Sequence, residues 1–262
     1  MLPQRPEMNC VLVVPCFNEE TRLDRAAFLA LADAPRMELL FVDDGSTDCT
    51  VGVLRDLHSA APERIHVLPL ERNGGKGEAV RRGMLDALAR GASLVGFADA
   101  DLATPPDELV RLRDELEVSE WSVAVGSRVM LMGTKIERHL WRHLVGRLFA
   151  TLAAGVLKMP FYDTQCGAKF FRDTPALRAA LAEPFLSRWA FDIELLGRLH
   201  IGVRKVPGIP LEQFREVPLY RWVAVSDSKL SFGGMTKTLL DLTRIDRELA
   251  QLRVAKRTQQ DD

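Results

Sequence analysis

The sequence has few cysteines, few tyrosines and no excess of charge of either sign. Its 262 residues include four cysteines and two tyrosines, and 35 Lys and Arg stand against 36 Asp and Glu. The net charge of −1 argues against a general nucleic-acid binder, which needs basic residues to neutralise phosphates. The cysteines (Cys10, Cys16, Cys49 and Cys166) are too few for a disulfide scaffold and lack zinc-ligand spacing, which indicates a reducing compartment.

Long apolar runs are also missing. The longest, residues 144–157, covers about 14 positions and contains Arg147, whereas a bilayer-spanning helix needs roughly 20. The first residues carry no apolar run of the kind that signal peptides have. The sequence therefore predicts a cytoplasmic protein, and it leaves open peripheral attachment to the inner face of a membrane.

The first half of the chain alternates short apolar runs with helical patterns. The runs are residues 11–14, 39–42, 65–68, 94–97 and 123–125. Such brief aliphatic runs are typical of parallel strands buried on both faces. Apolar stripes between them, such as Leu109, Leu112 and Leu116 after Pro105 and Pro106, predict helices. Residues 9–130 are thus predicted to form a doubly wound, mainly parallel α/β sheet with helices on both faces.

The second half has a less regular pattern. Helices are predicted at 136–158, 174–183 and 191–200, and short strands near Cys166–Phe171 and Val203–Pro207. An amphipathic C-terminal helix with a polar tail follows, since apolar residues recur every three or four positions at Met235, Leu239, Leu242, Ile245, Leu249 and Leu252. The predicted organisation is one domain over 9–232, with halves 9–130 and 131–232, and an appended segment over 233–262.

Polar residues collect where the predicted strands end. The first strand leads into residues 15–20, the second into 43–48, the fourth into Asp99-Ala-Asp101 and the fifth into Gly126-Ser-Arg128. Ligands of open α/β sheets bind beyond the carboxyl ends of the strands. A single such loop could simply cap a helix. Four charged loops along one edge favour a ligand-binding rim.

The pair Asp99 and Asp101 suits a hard divalent cation. Alternate residues leaving a strand can converge on Mg²⁺ or Mn²⁺, which proteins hold with one or two carboxylates together with substrate phosphates. Two aspartates at this spacing are common, so the pair alone is a weak signal. It becomes stronger beside Asp43 and Asp44 on a neighbouring strand end.

Several strings together resemble one enzyme family. V-V-P-C-F-N-E-E, V-D-D-G-S-T-D, R-N-G-G-K-G-E-A, D-A-D and G-S-R are similar to motifs of the family 2 glycosyltransferases with a GT-A fold. The strings at 163–171 and 188–196, with Ser228-Lys229-Leu230, resemble the dolichyl-phosphate β-glucosyltransferase branch, close to the mannose synthases. The resemblance spans residues 10–232 and implies a metal-dependent, inverting hexosyltransferase.

The resemblance also implies roles for single residues. Pro15, Phe17 and Glu19 match the family's loop that contacts the nucleoside, and Asp43 and Asp44 match its acidic pair at the base and ribose. Asp99 and Asp101 match the motif that holds the metal. Arg128 matches the arginine that faces the phosphates or donor sugar, and Asp192 matches an acidic residue near the acceptor. The candidate substrate-binding residues are Pro15, Phe17, Glu19, Asp43, Asp44, Lys76, Asp99, Gln165 and Lys229; the candidate catalytic residues are Asp101, Arg128 and Asp192.

Three departures from the family pattern matter. Mannose synthases often carry Gln two residues past the second aspartate, where this chain has Ala103. This position favours the glucosyltransferase branch. The N-terminal anchor of the eukaryotic glucosyltransferases and the C-terminal membrane helices of some synthases have no counterpart, so the acceptor lipid is left open.

For some residues the sequence leaves two interpretations open. Lys76, in a Gly-rich turn, either contacts the donor or only shapes the turn. Cys166 is a poor nucleophile candidate because no His stands beside it. Asp192 and Glu194 lie on different faces of one helix, which predicts one functional residue, Asp192 by the resemblance, and one surface or salt-bridging residue. The pair His139 and His143 is read as an exposed helix face rather than a metal site.

The predicted reaction is hexose transfer, with glucose from UDP-glucose favoured, to a phosphate-bearing and lipid-linked acceptor such as polyprenyl phosphate. Transfer to a hydroxyl or soluble acceptor and sugar-nucleotidyl transfer are the alternatives. The expected cofactor is Mg²⁺ or Mn²⁺. Two basic amphipathic segments, 138–158 and the C-terminal helix, are candidates for docking on a membrane surface, and the C-terminal one equally suits packing on the domain or forming a homodimer.

Overall fold

The computed structural model describes residues 9–137, 140–223 and 232–261. Within these ranges the strands are β1 (Cys10–Cys16), β2 (Met37–Asp43), β3 (Ile65–Pro69), β4 (Leu94–Phe97), β5 (Val123–Ser127), β6 (Lys135–Glu137), β7 (Lys169–Arg172), β8 (Gly202–Val203), β9 (Val206–Pro207), β10 (Phe214–Pro218) and β11 (Arg221–Val223). The helices are α1 (Arg25–Ala32), α2 (Thr50–Ala60), α3 (Lys76–Ala89), α4 (Pro106–Val118), α5 (Leu140–Leu157), α6 (Pro175–Leu181), α7 (Phe191–Ile201) and α8 (Phe232–Asp261).

The central sheet has seven strands in the order β10-β5-β7-β4-β1-β2-β3. Neighbours pair in parallel except β7, which runs antiparallel to both β4 and β5. The five strands predicted for the first half are all present. The prediction of a mainly parallel α/β sheet is confirmed.

Helices cover both faces of this sheet because consecutive strand residues point to opposite sides. Val13 and Val42 face one layer, which contains α3 and α7, while Leu12 and Phe41 face the other, which contains α1, α2 and α4. Helix α3 lies directly on β1: a Cβ atom added to Gly83 would fall 2.4 Å from Cγ1 of Val13. The sheet is therefore a rigid platform whose loops emerge at its edges.

The second half corrects one predicted boundary. The helix predicted from position 136 begins at Leu140, because Ile136 belongs to β6 and pairs with Trp222 of β11. Strands β10 and β11 were not predicted. Strand β10 lies on an edge of the sheet, and two adjacent charged residues, Arg215 and Glu216, interrupt its apolar signal.

The C-terminal helix packs on the domain. Leu242, Ile245 and Leu249 of the predicted apolar stripe are buried, and a Cβ atom on Gly197 of α7 would fall 2.4 Å from Cδ1 of Leu249. Ser187 Oγ donates a hydrogen bond of 2.8 Å to Asp241 of α8. Of the roles considered for this helix, packing on the domain is the one that the structure shows.

In the described part of the chain, none of the helices combines the length and hydropathy that crossing a bilayer requires. Helix α5 is closed at its C-terminal end by Arg253 of α8, whose guanidinium donates to the carbonyls of Val156 and Leu157. His139 lies outside the described residues, so the predicted role of the His139/His143 pair stays a prediction.

Candidate active site

The carboxyl ends of β1, β2, β4 and β5 meet at one edge of the sheet and bring most of the candidate residues together. The parallel register places Cys16 opposite Asp43 and Val13 opposite Phe97, so the loops that follow these strands leave side by side. Pro15 lies in β1 opposite Val42, and Phe17 follows the strand end.

The two acidic residues at the end of β2, Asp43 and Asp44, have different contacts. Both carboxylate oxygens of Asp44 accept backbone N–H bonds, from Gly74 at 2.7 Å and from Gly75 at 2.8 Å. Burial raises the pKa of Asp44, and these two donors oppose that rise. Asp43 is buried and receives one bond of 3.3 Å from the Ser46 amide, while its Oδ1 atom has no hydrogen-bond partner. Asp44 thus fixes the Gly-rich turn, whereas Asp43 keeps one buried oxygen without a hydrogen-bond partner.

The Gly-rich turn aims Lys76 at the pair of aspartates after β4. The backbone of Gly75 has φ 93°, a conformation that favours glycine, and α3 begins at the next residue. Lys76 Nζ lies 2.5 Å from Asp99 Oδ1. Burial alone would lower the pKa of Lys76, but the carboxylates of Asp99 and Asp192 outweigh it and raise that pKa. Lys76 is therefore a cation inside the site rather than only a turn residue.

Asp99 and Asp101 line the opening of the site. Their side chains are 36% and 23% exposed, so both can reach a ligand from solvent. Asp99 packs against the turn before β7, since a Cβ atom on Gly167 would fall 2.2 Å from its Oδ2. Burial and the nearby charge of Asp99 raise the pKa of Asp101. Arg22 lies 3.6 Å from Asp101 and 3.2 Å from Glu19, which joins the β1 loop to this pair.

Arg128, immediately after β5, is held by a two-point ion pair. Its Nε and Nη2 atoms donate to Asp163 at 2.7 and 2.8 Å, and its backbone N–H donates to the same carboxylate at 3.0 Å. Although burial opposes it, Asp163 raises the pKa of Arg128 further. Glu216 of β10 accepts the backbone N–H groups of Tyr162 and Asp163, and the Arg128 guanidinium lies 5.3 Å from the Trp222 ring. This shell fixes the direction of the guanidinium.

Asp192 lies on the first turn of α7, buried between cations. Lys169 Nζ, also buried, is 3.3 Å from its Oδ1 atom, and Gln165 Nε2 is 3.5 Å from its Oδ2 atom. Burial raises the pKa of Asp192, and the charges of Lys169 and Lys76 oppose this rise. Glu194, by contrast, pairs with Arg198 away from this site. Both carboxylates are thus ion-paired, Asp192 at the site and Glu194 away from it, and the functional role of Asp192 stays a prediction.

The site is less suited to a thiolate nucleophile or to a metal ion held by protein ligands alone. Burial raises the pKa of the Cys166 thiol to about 11, so a thiolate nucleophile is disfavoured at neutral pH. Among the described residues, no cluster of three or more His, Cys, Asp or Glu could by itself hold a metal ion. Any cation at Asp99 and Asp101 would therefore need ligands from a substrate, as Mg²⁺ commonly does.

Sequence reasoning missed three cations or carboxylates of the site: Arg22, Asp163 and Lys169. Lys169 and Asp163 both lie inside the string 163–171 that carried part of the resemblance, and they are its only charged residues, which was the available signal. Lys229, predicted to bind substrate, lies outside the described residues.

Comparisons with known proteins agree with this geometry. Residues 11–175 match the family model described as "Glycosyl transferase family 2". A dolichyl-phosphate beta-glucosyltransferase of Drosophila melanogaster is 39% identical over 251 residues, covering 88% of this chain and 72% of the relative. A polyprenol monophosphomannose synthase of Mycolicibacterium smegmatis is 30% identical over 195 residues, covering 74% and 73%.

The solved structures include glucosyl-3-phosphoglycerate synthase from Mycobacterium tuberculosis in complex with uridine diphosphate. It superposes with a TM-score of 0.60 at 20% identity, covering 95% of this chain and 80% of that one, which shows a shared fold. Another structure of the same synthase contains Mn²⁺ as well. The rim of aspartates and cations thus lies on the same fold as that synthase, and the sequence matches complete the assignment: this chain belongs to the glycosyl transferase family 2.

Proposed function

We propose that this chain transfers glucose, with inversion, from UDP-glucose to the phosphate of a polyprenyl phosphate at a membrane surface. The observation that carries the proposal is the convergence of Lys76, Asp99, Asp101, Arg128 and Asp192 at one rim of a family 2 sheet. Relatives named as dolichyl-phosphate glucosyltransferases support glucose and a lipid phosphate as substrates.

The charges of the site fit a donor that arrives with a cation. Four carboxylates are each paired with one cation: Asp101 with Arg22, Asp99 with Lys76, Asp163 with Arg128, and Asp192 with Lys169. Arg22 is shared with Glu19, and Asp43 and Asp44 lie at the same edge with only backbone N–H donors, so the site has more carboxylates than cations. A nucleoside diphosphate adds further negative charge, which a divalent cation held by the exposed aspartates would offset.

The residues present fit Mg²⁺ or Mn²⁺. Asp99 and Asp101 offer carboxylate oxygens on a solvent-facing edge. Burial and then the like charge of Asp99 raise the pKa of Asp101, and a cation would offset that like charge. When bound there, the ion would supply positive charge to the leaving diphosphate. Arg128 adds a fixed guanidinium whose direction is set before substrate arrives, which is how preorganised charge stabilises a transition state.

A phosphate acceptor needs little help from a base. The second pKa of a phosphate monoester is about 6, so the oxygen that attacks is already ionised at neutral pH. Asp192 can then act mainly by position, beside Gln165 and between two lysines. A hydroxyl acceptor would instead require Asp192 to take a proton in the transition state.

A matrix of donors and acceptors tests the proposal. The donors are UDP-glucose and GDP-mannose; the acceptors are a short-chain polyprenyl phosphate, phosphatidic acid and the matching polyprenol, with release of nucleoside diphosphate as readout. We expect release of UDP only with UDP-glucose and polyprenyl phosphate, and its loss in EDTA. Turnover with polyprenol would indicate a hydroxyl acceptor, and release of pyrophosphate from UTP and glucose 1-phosphate would indicate a nucleotidyltransferase.

A further inference from the structure

A turn beside Arg128 presents apolar side chains to solvent. Met130, Leu131 and Met132 are consecutive and exposed, and Met132 at the tip is 105% exposed. The turn is well defined, because Thr134 donates backbone and hydroxyl hydrogen bonds to the Leu131 carbonyl and its Oγ1 accepts the Leu131 N–H. Turn tips usually carry polar residues, so a fixed tip with this composition needs an explanation.

A neighbouring strand holds the turn through its backbone. The backbone N–H of Lys135 donates to the Tyr220 carbonyl at 2.7 Å, and β6 pairs with β11. Tyr220, just before β11, and Val223, the last residue of β11, are exposed as well. We call the three exposed side chains of the turn, Met130, Leu131 and Met132, the Met130 patch.

The strand that pairs with this segment contacts the site at two points. Trp222, between Tyr220 and Val223, lies under the Arg128 guanidinium. The backbone N–H of Val223 donates at 3.0 Å to the carbonyl of Ala103, whose own N–H donates to Asp101. An acceptor phosphate at Arg128 would therefore leave its hydrocarbon chain next to exposed methionine and leucine side chains.

Charge at the patch suits an anionic surface. Lys135 is exposed directly beneath the turn, and Arg221, half exposed, lies on the paired strand opposite Lys135. Arg221 forms an ion pair with Asp107, so the electrostatic contribution to membrane binding is small compared with that of the apolar side chains. Apolar side chains flanked by cations are the usual composition of segments that lie in a membrane interface.

The two segments that the sequence suggested for docking do not replace this patch. The buried residues of the α8 stripe are already used against the domain, since Ile245 and Leu249 are inaccessible. In α5, Arg147 donates to the Tyr162 carbonyl at 2.8 Å and stacks on the Tyr162 ring. The Arg147 guanidinium is thus already bound to Tyr162 within the protein.

We propose that the Met130 patch inserts into the interface of an anionic lipid bilayer and so sets the site at the depth of a membrane-borne acceptor phosphate. This inference rests on the proposed function for the identity of the acceptor. Methionine is well suited to such a contact, because its flexible thioether side chain packs against irregular apolar surroundings.

The test compares the full-length chain with two triple variants. Met130→Ser, Leu131→Ser and Met132→Ser remove the tip; Val118→Ser, Leu211→Ser and Leu240→Ser remove three apolar side chains that are exposed elsewhere. Binding is measured by flotation with vesicles of phosphatidylglycerol and phosphatidylcholine. Activity is measured with polyprenyl phosphate in those vesicles and with a short-chain, water-soluble isoprenyl phosphate.

For the tip variant we expect vesicle binding and kcat/KM on the embedded acceptor to fall about tenfold or more, with kcat/KM on the soluble acceptor within about twofold of the wild type. The control triple should match the wild type in all three. Wild-type flotation by the tip variant, or absence of flotation by the parent chain, would overturn the proposal. An equal loss on both acceptors would place the turn in catalysis instead. Failure of the proposed function would be visible separately, as no transfer to either acceptor by a parent chain that still binds vesicles.

Discussion

Lys169 Nζ lies 3.3 Å from Asp192 Oδ1, and both side chains are buried beneath the opening of the site. The ammonium group also donates to the Cys166 carbonyl at 2.6 Å and lies 5.2 Å from the Phe97 ring. A buried cation needs this much compensation, because its transfer out of water is expensive. The pair therefore links the turn before β7 to the acidic residue on α7.

Lys169→Met should destabilise the fold. The substitution keeps an unbranched side chain but leaves the Asp192 charge buried without its partner, and we expect a loss of about 3–5 kcal/mol in the free energy of unfolding at pH 7. Lys256→Met, at an exposed position, is the control. Denaturant unfolding measures both.

The loss of stability caused by Lys169→Met should become smaller as the pH falls. Burial already raises the pKa of Asp192, and removal of Lys169 removes a charge that opposes this rise. A carboxyl whose pKa is higher in the folded than in the unfolded chain contributes stability at low pH that is lost as pH rises through the folded pKa. Denaturant curves of the variant at pH 5 and pH 7 check the sign, and an equal loss at both would contradict it.

Asp192→Asn separates the two classes of acceptor. With a phosphate acceptor we expect kcat/KM to fall by no more than about tenfold, whereas loss of a general base for a hydroxyl acceptor costs about 10²–10⁴-fold. Stability should fall as well, because Lys169 loses its carboxylate. The double variant Lys169→Met, Asp192→Asn should lose less stability than the sum of the single variants, and additivity would show that the two residues do not interact.

Asp101→Asn should abolish transfer while leaving the fold intact. The substitution removes a carboxylate that would bind a cation, and it also removes like charge beside Asp99. We therefore expect an unchanged or slightly raised thermal midpoint together with a loss of glucose transfer of at least about 10²-fold. Calorimetry and a transfer assay with added Mn²⁺ measure the two effects. Activity close to wild type in EDTA would reject the metal.

The sheet was predictable from the sequence because its strands have a strong physical signature. Runs such as residues 39–42 are buried on both faces, so they consist almost wholly of aliphatic and aromatic residues. The loops at their carboxyl ends were predictable for the same reason, since the direction of parallel strands places them at one edge. The sequence alone therefore assigns Asp99 and Arg128 to one candidate site.

The second half was less predictable because its decisive contacts join distant positions. Asp163 pairs with Arg128 across 35 positions, and Ile136 became a strand residue only by pairing with Trp222. Lys169 reads as an exposed charge in the sequence, yet the fold buries it completely. Such placements follow from tertiary packing, which local periodicity does not encode.

Asp163→Asn tests how far the direction of Arg128 matters. The amide keeps the shape of the side chain but offers one acceptor instead of two, so the guanidinium loses its two-point contact. We expect kcat/KM to fall by about tenfold or more through loss of orientation. Asp173→Asn provides a matched control, since Asp173 holds Arg178 with the same two-point geometry at an exposed position. Equal effects of the two substitutions would show that the Arg128 pair has no special role.

The attachment of the C-terminal helix should depend on pH near neutrality. Glu194 of α7 pairs with Arg198, which also contacts Glu248 of α8. Burial raises the pKa of Glu194 to about 7; Arg198 opposes this rise and Glu248 adds to it. The stability that the protonated form provides is therefore present at low pH and lost as pH rises through about 7. Between pH 6 and pH 8 we expect the free energy of unfolding to fall by about 1 kcal/mol.

Glu248→Gln removes the negative charge next to Glu194 and should flatten this decline. Glu212→Gln, at an exposed position outside α7 and α8, should leave the decline unchanged. Chemical denaturation of the three proteins across this pH range measures the slopes, and a parallel decline in the parent and the Glu248 variant would show that the Glu194–Arg198–Glu248 contact does not set it.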